Sequence, residues 1–255
     1  IILMIDNLIP VQLPRGTIYF KEPTFYEYKN ICKMLISDDN EHISNCFSIL
    51  LDSCITDSKS LDIIDKFKCI ITIRNTILGN EIVFLQDNKR ITLDLSTILD
   101  KDIDNSDIEH NTLTFNAPID LHINAYDKLI AQCLTKINNV NISDLTPDER
   151  LKILNETSFS LTEIYQKLHA HFKERSIRLF RDIEINIYNS NELLQFLKNI
   201  FQEDLSSILN FEYTCIQNIQ LKAADFKTYT YPELKIFLNY LNKERQEHKQ
   251  NTDER

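Results

Sequence analysis

Glycine is almost absent: the 255-residue chain holds two. Phosphate-cradling loops and tight catalytic turns need a backbone approach that only glycine allows. Two glycines cannot build a P-loop, a Rossmann fingerprint or a nucleophile elbow, so function classes resting on those motifs are excluded. Cysteine pairs are missing too. The six cysteines, Cys32, Cys46, Cys54, Cys69, Cys133 and Cys215, include no C-x-x-C, the close spacing usual in tetrahedral zinc sites. Most lie in apolar, helix-like surroundings and read as buried free thiols of a reducing compartment. No metal or cofactor is expected. No run reaches the ~18 apolar residues of a membrane span. The opening "IILMIDNLIP" has neither a basic region nor a small-residue cleavage site, so it does not read as a signal peptide. Positive charge is in deficit, with 28 Lys+Arg against 38 Asp+Glu and a net charge of -10. A chain this acidic gains little from a phosphate backbone, which makes nucleic acid a poor default partner.

What is present is enough for a core. Hydrophobic residues make up 43% of the chain, sufficient for one large domain or two modest ones. The stretch "LPRGTIYFKEPTFYEYKNICKML" alternates like a strand up to Phe20. It then turns through Lys21-Glu22-Pro23-Thr24 into helical spacing at Phe25, Tyr28, Cys32 and Leu35. The pattern predicts an extended arm followed by a helix over about 24–36, with Thr24 as its N-cap. A second helix is expected over about 41–55. Residues 67–75 stay open between helix and strand. Phe67, Ile70 and Arg74 suit a helix, whereas Ile70-Ile71-Thr72-Ile73 is β-branched enough for a strand. "EIVFLQDNKRITLDL" reads as a hairpin turning at Gln86-Asp87-Asn88-Lys89, with Ile91, Leu93 and Leu95 on one face. "TLTF" and "IDLHI" are predicted as strands flanking Pro118.

From Tyr126 the period becomes helical, with Tyr126, Ile130, Cys133, Ile137 and Val140 in one stripe. Thr146 with Glu149, and Thr230 with Glu233, are capping boxes, and Pro147 occupies a first helical position. Further helices are expected near about 161–181, 191–200, 202–219 and 231–247. The expected fold is α+β. A mixed region with an N-terminal arm covers residues 1–123, and a helical region covers 124–255.

Little in the chain suggests chemistry. In "HAHFKERSIRLFR", His169 and His171 point about 200° apart on a helix and cannot share a metal. Arg175, Arg178 and Arg181 advance by three along one side of the expected helix. They suit a solvated face, internal ion pairing or docking to an acidic protein partner. Arg74, inside an apolar stretch, needs a carboxylate or several carbonyls to be tolerated there, and a structural ion pair is expected. No Ser, His and Asp arrangement suggests a nucleophile with its base, and nothing argues for an enzyme. In the last helix, Leu234, Phe237, Leu238 and Leu241 form the stripe expected to face the core. Ile236 and Tyr240 widen that stripe, to be covered either by another helix of the same chain or, on the functional reading, by a neighbouring subunit.

The order of these features resembles the T4-type baseplate hub and hub-assembly family of contractile-tailed bacteriophages. The resemblance rests on the LP-type arm, on Glu27-Tyr28-Lys29 opening the first helix, and on Arg74, Gly79 and Glu81 before a strand. It extends to the terminal helix from Tyr231 to Glu244. It implies a non-enzymatic structural subunit of the central hub of a tail baseplate, with hub, spike or wedge proteins as partners. The implied location is the virion tail baseplate, and the host cytoplasm during assembly. Leu13, Ile18 and Phe20 of the arm are then expected to lie across a neighbour. The hairpin tip lacks the cysteines that some members carry, so no zinc role is implied. Two rivals remain: a hub-assembly chaperone absent from the virion, and a helicase-loader-like replication factor binding single-stranded DNA through residues 173–181.

Overall fold

A computed structural model describes residues 8–13, 16–86, 89–157, 159–180, 183–201, 203 and 205–253. Strands β1 (Leu8–Leu13) and β2 (Gly16–Lys21) pair antiparallel, with Ile9 opposite Phe20 and Val11 opposite Ile18. The expected arm is therefore one half of a hairpin. Residues 8–13 also alternate, and they supply the partner strand that a lone arm would seek elsewhere. The chain then turns into α1 (Phe25–Met34). Thr24 caps this helix in a reciprocal box: its hydroxyl accepts from the Glu27 amide at 3.3 Å, and Glu27 Oε2 accepts from the Thr24 amide at 2.7 Å. The polar joint also ties down the far end of the chain. Phe25 N–H donates to Tyr229 O at 2.8 Å, and Thr24 forms a β-bridge with Thr230.

Helix α2 (Asn40–Cys54) begins at Asp39, and α3 (Ile63–Leu78) begins at Asp62, whose carboxylate accepts from the amides of Ile64 and Asp65. Residues 67–75 are thus helical. The β-branched run is tolerated because α3 is wrapped by apolar neighbours, with Ile63, Ile64, Phe67, Ile70, Ile71 and Ile73 all buried. Asp65, Lys66, Lys68 and Arg74 are buried on the same helix, so α3 lies inside on nearly every side, and burial outweighs the few tenths of a kcal/mol per residue of β-branched propensity. Gly79 ends the helix at φ +83°. The hairpin β3 (Glu81–Gln86) and β4 (Lys89–Asp94) follows as expected, although Asp87 and Asn88 at its tip lie outside the described residues. Leu93 and Leu95 are buried at its base, and a short helix α4 (Ser96–Leu99) follows.

Next come β5 (Ile108–His110), β6 (Leu113–Phe115), α5 (Tyr126–Cys133), β7 (Leu134–Ile137) and β8 (Val140–Asn141). The four strands form one antiparallel sheet in the order β5-β6-β7-β8. Two expectations are corrected here. "IDLHI" is not a strand, because the amides of Ile119 and Asp120 donate to Gln132 Oε1 at 3.2 and 3.0 Å rather than to a ladder. The helix from Tyr126 stops at Cys133 rather than continuing to Val140. Beyond it, Leu134 to Ile137 pair with β6, and the Arg150 side chain takes the carbonyls left at the helix end.

The rest comprises α6 (Pro147–Asn155), α7 (Leu161–Glu174), β9 (Ile177–Phe180), β10 (Ile183–Ile185), α8 (Ser190–Phe201), α9 (Leu205–Ile219) and α10 (Tyr231–Asp253). Both expected capping boxes form. The helix expected to reach residue 181 ends at Glu174. Ile177 and Leu179 then alternate inward as a strand paired with β10.

The fold is α+β, as expected, but its packing does not divide at residue 123. One core joins β1, β2, α1, α2 and α3 to α8, α9 and α10, with the rings of Phe47 and Phe201 5.4 Å apart. A second core, built by Ile108, Phe115, Ile130, Leu134, Leu154, Ile164, Leu168 and Phe172, lies inside the sequence span of the first. The later part of the chain is helical with strands β7 to β10 among its helices.

All six cysteines are buried free thiols. Burial pushes Cys32, Cys54 and Cys215 up to about 11, and Cys46 and Cys69 up to about 12. Native protein should therefore resist alkylation at neutral pH, and unfolding without reductant should expose six modifiable sites by intact mass. A loss of two or more sites would reveal disulfides. The unfolded chain loses these protons first, near pH ~8.5. The contribution of the neutral thiols is full below that pH and declines as pH rises toward about 11 to 12. Urea midpoints should fall between pH 7.5 and pH 10.

Candidate interaction surfaces

The three arm residues face inward. Phe20 is fully buried, Leu13 is buried and Ile18 is half-buried against the first core. They hold the hairpin onto its own chain, which corrects their expected place across a neighbour. The alternation in the sequence marked an apolar face correctly but could not say whose core it met.

The basic stripe does not form. Arg175 follows the end of α7 and is buried. Its Nε pairs with Asp104 at 3.1 Å, and its Nη2 donates to Ser106 O and Oγ at 3.0 and 2.9 Å. Arg178 is exposed on β9 and reaches Glu184 on β10 at 3.2 Å. Arg181 lies outside the described residues. Arg175 and Arg178 are thus internally paired, one of the three roles weighed from sequence. His169 and His171 do lie on α7. No group of three or more metal-ligating side chains occurs among the described residues.

Arg74 is held by carbonyls rather than a carboxylate. Its guanidinium donates to Ile200 O at 3.1 Å, to Gly79 O and to Glu81 O at 3.3 Å. The spacing of Arg74, Gly79 and Glu81 thereby has a mechanical meaning: the arginine grips the backbone of the other two. Glu27 is the capping carboxylate of α1, and Lys29 pairs with Glu212 of α9 at 2.5 Å.

On α10 the buried line is Tyr231, Leu234 and Leu238, with Leu241 half-buried. Tyr231 enters an aromatic cluster, 4.8 Å from the Phe211 ring and 5.2 Å from Tyr28. Phe237 was expected inside but is 40% exposed, resting edge-on against Tyr229 at 5.5 Å. It sits at the margin of the stripe, and the helix is rotated so that Tyr231 takes the inner place. Ile236 and Tyr240 are 53% and 67% exposed, so no other helix among the described residues covers them. Sequence reasoning missed a second patch, Leu209, Tyr213 and Ile216 on α9, also exposed. The signal lay in the helix composition: LSSILNFEYTCIQNI carries a single charge, Glu212.

Comparison with protein-family models, with curated proteins and with solved structures gives no match to this chain.

Arg74→Met should lower stability by about 3 kcal/mol, because the buried Ile200 carbonyl and the partly buried carbonyls of Gly79 and Glu81 lose their donor. Arg178→Ala should cost under about 1 kcal/mol, as for an exposed pair. Urea denaturation of both variants checks the contrast; equal losses would show that Arg74 is not a structural anchor.

Proposed function

We propose that this chain is a structural subunit of the central hub of a phage tail baseplate, acting through contacts with hub, spike or wedge proteins. The observation that carries the proposal is the outer side of α10. Ile236, Phe237 and Tyr240 are exposed together on a helix that already has its own buried line. Apolar and aromatic side chains on a face the fold does not need are what a subunit presents to a neighbour. The resemblance of the sequence order to the hub family names the kind of neighbour. Among the residues behind that resemblance, Glu27 caps α1, Lys29 pairs with Glu212 of α9, and Arg74 donates to the carbonyls of Gly79 and Glu81. No helix among the described residues is long and apolar enough to cross a membrane.

The decisive measurement is mass spectrometry of purified virions, with the chain expected in stoichiometric amount. Its absence from virions, together with a failure of hub assembly in its absence, would favour the chaperone reading. Tight single-stranded DNA binding at physiological salt would overturn both. Tyr240→Asp should leave the melting temperature within a few degrees but prevent co-sedimentation with baseplates. Leu234→Asp should destabilise the fold by roughly 3 kcal/mol or more, since it buries an unpaired charge. If Tyr240→Asp melts as early as Leu234→Asp, the α10 face belongs to the core.

A further inference from the structure

Residues of both hydrophobic cores line one cleft. Ile63 belongs to the first core, Phe172 to the second, and Tyr188 packs against both. The cleft has a volume of about 580 Å³, which suits a small-molecule site, and such sites favour the boundary between packed units. Its body is apolar and aromatic. Ile63, Pro118, Leu129 and Phe172 line it, and the Tyr188 ring stacks on that of Phe172 at 4.4 Å.

The polar groups of the lining divide into those already bonded within the protein and those that are not. Both carboxylates are bonded. Glu192 accepts from the Asn186 amide at 3.0 Å and from Asn189 Nδ2 at 2.7 Å. Asp120 accepts from Gln132 Nε2. The asparagine side chains hold the turn before α8. Asn186 Nδ2 donates to Phe172 O at 2.9 Å, and Asn189 Oδ1 accepts from the Asn191 amide at 3.2 Å. His122, Tyr165, His169, Lys173 and Ser190 make no side-chain hydrogen bond or ion pair among the described residues. All five can donate a hydrogen bond, and Lys173 carries a full positive charge. Tyr165, His169 and Lys173 follow one another at four-residue steps along one side of α7.

We propose that this cleft binds a small organic anion, a carboxylate or phosphate monoester carried on a planar ring. The acid group falls to Lys173 and His169, and the ring to the aromatic wall of Tyr165, Phe172 and Tyr188. A cationic ligand would meet Lys173 with both lining carboxylates already bonded. A bare metal ion does not suit the lining, since no group of three ligating side chains occurs among the described residues. The chain as a whole carries -10 and repels anions, so anion binding would report a local site. The cleft is separate from the α10 face and does not rest on the hub reading.

Isothermal titration calorimetry of the full chain tests it. The two probes are adenosine monophosphate, a phosphate monoester, and indole acetate, a carboxylate. At least one should bind with a Kd of about 1 mM or tighter, and the one that binds identifies the acid group. Adenosine and inorganic phosphate each carry one half of the recognised chemistry and should bind about tenfold more weakly or less. Lys173→Ala and His169→Ala should each weaken binding about tenfold, as the loss of a hydrogen bond to a charged group does. Both side chains are exposed, so these variants should melt like the wild type. Should Lys173→Ala fail to fold, Lys173→Gln takes its place, with weakened binding again expected. Lys167→Ala, exposed on α7 outside the cleft, should leave binding unchanged. Binding of neither acid, inorganic phosphate binding as tightly as adenosine monophosphate, or equal losses from Lys173→Ala and Lys167→Ala would overturn the proposal.

Discussion

One buried cation organises the first core. Arg74 lies near the end of the central helix α3, where a bare guanidinium would cost several kcal/mol. It is tolerated because backbone carbonyls turn toward it from Gly79, Glu81 and Ile200. Two of these carbonyls sit at the C-terminal ends of α3 and α8, where the helix dipoles are negative. Gly79 permits the arrangement, since its φ of +83° lets the chain leave α3 and double back. The end of α3, the end of α8 and the start of the β3–β4 hairpin are thus fixed at one point.

The second core uses the same device. Arg150 is buried and donates to the carbonyls of Ala131, Gln132, Leu134, Leu145 and Ser143. Those bonds replace the ones that the end of α5 would otherwise lack, so the chain can leave the helix there and join the sheet. Arg175 links the two cores from the end of α7 by holding Asp104 and Ser106. Beside it, Tyr188 stacks on Phe172 at 4.4 Å and donates to Asp104 O at 3.0 Å. In this acidic protein, three arginines are placed inside, where carbonyls and, for Arg175, a carboxylate compensate them.

With the interior settled this way, the outer faces of α9 and α10 have no work to do for the fold. Each helix covers the core with one line of residues and leaves apolar side chains on another. Burying such a face against a neighbour gains about 25 cal/mol per Å² of apolar surface removed from water. On the hub proposal, the α10 face is the surface that would carry such a contact.

The sequence by itself determined the features that depend on near neighbours. The caps at Thr24, Thr146 and Thr230 were legible because each is a bond between residues three apart. The β3–β4 hairpin was legible because alternation and a polar turn are local. The wide apolar arc of α10, Ile236 and Tyr240 included, followed from the helical period, whereas their exposure did not. Tertiary structure decided everything that needed a distant partner. Residues 67–75 became a helix because the surrounding core buries Phe67, Ile70, Ile71, Ile73 and Arg74 on most of its faces. Cys133 ended α5 because β6 offered an edge and Arg150 took the freed carbonyls. Arg175 and Arg178 left the expected helix because β10 paired with Ile177–Phe180. Phe20 turned inward because β1 closed its hairpin, and Phe237 turned outward because Tyr231 filled the inner place. Periodicity marks an apolar face, but only packing over distances far beyond the local sequence decides which core, or which neighbour, covers it.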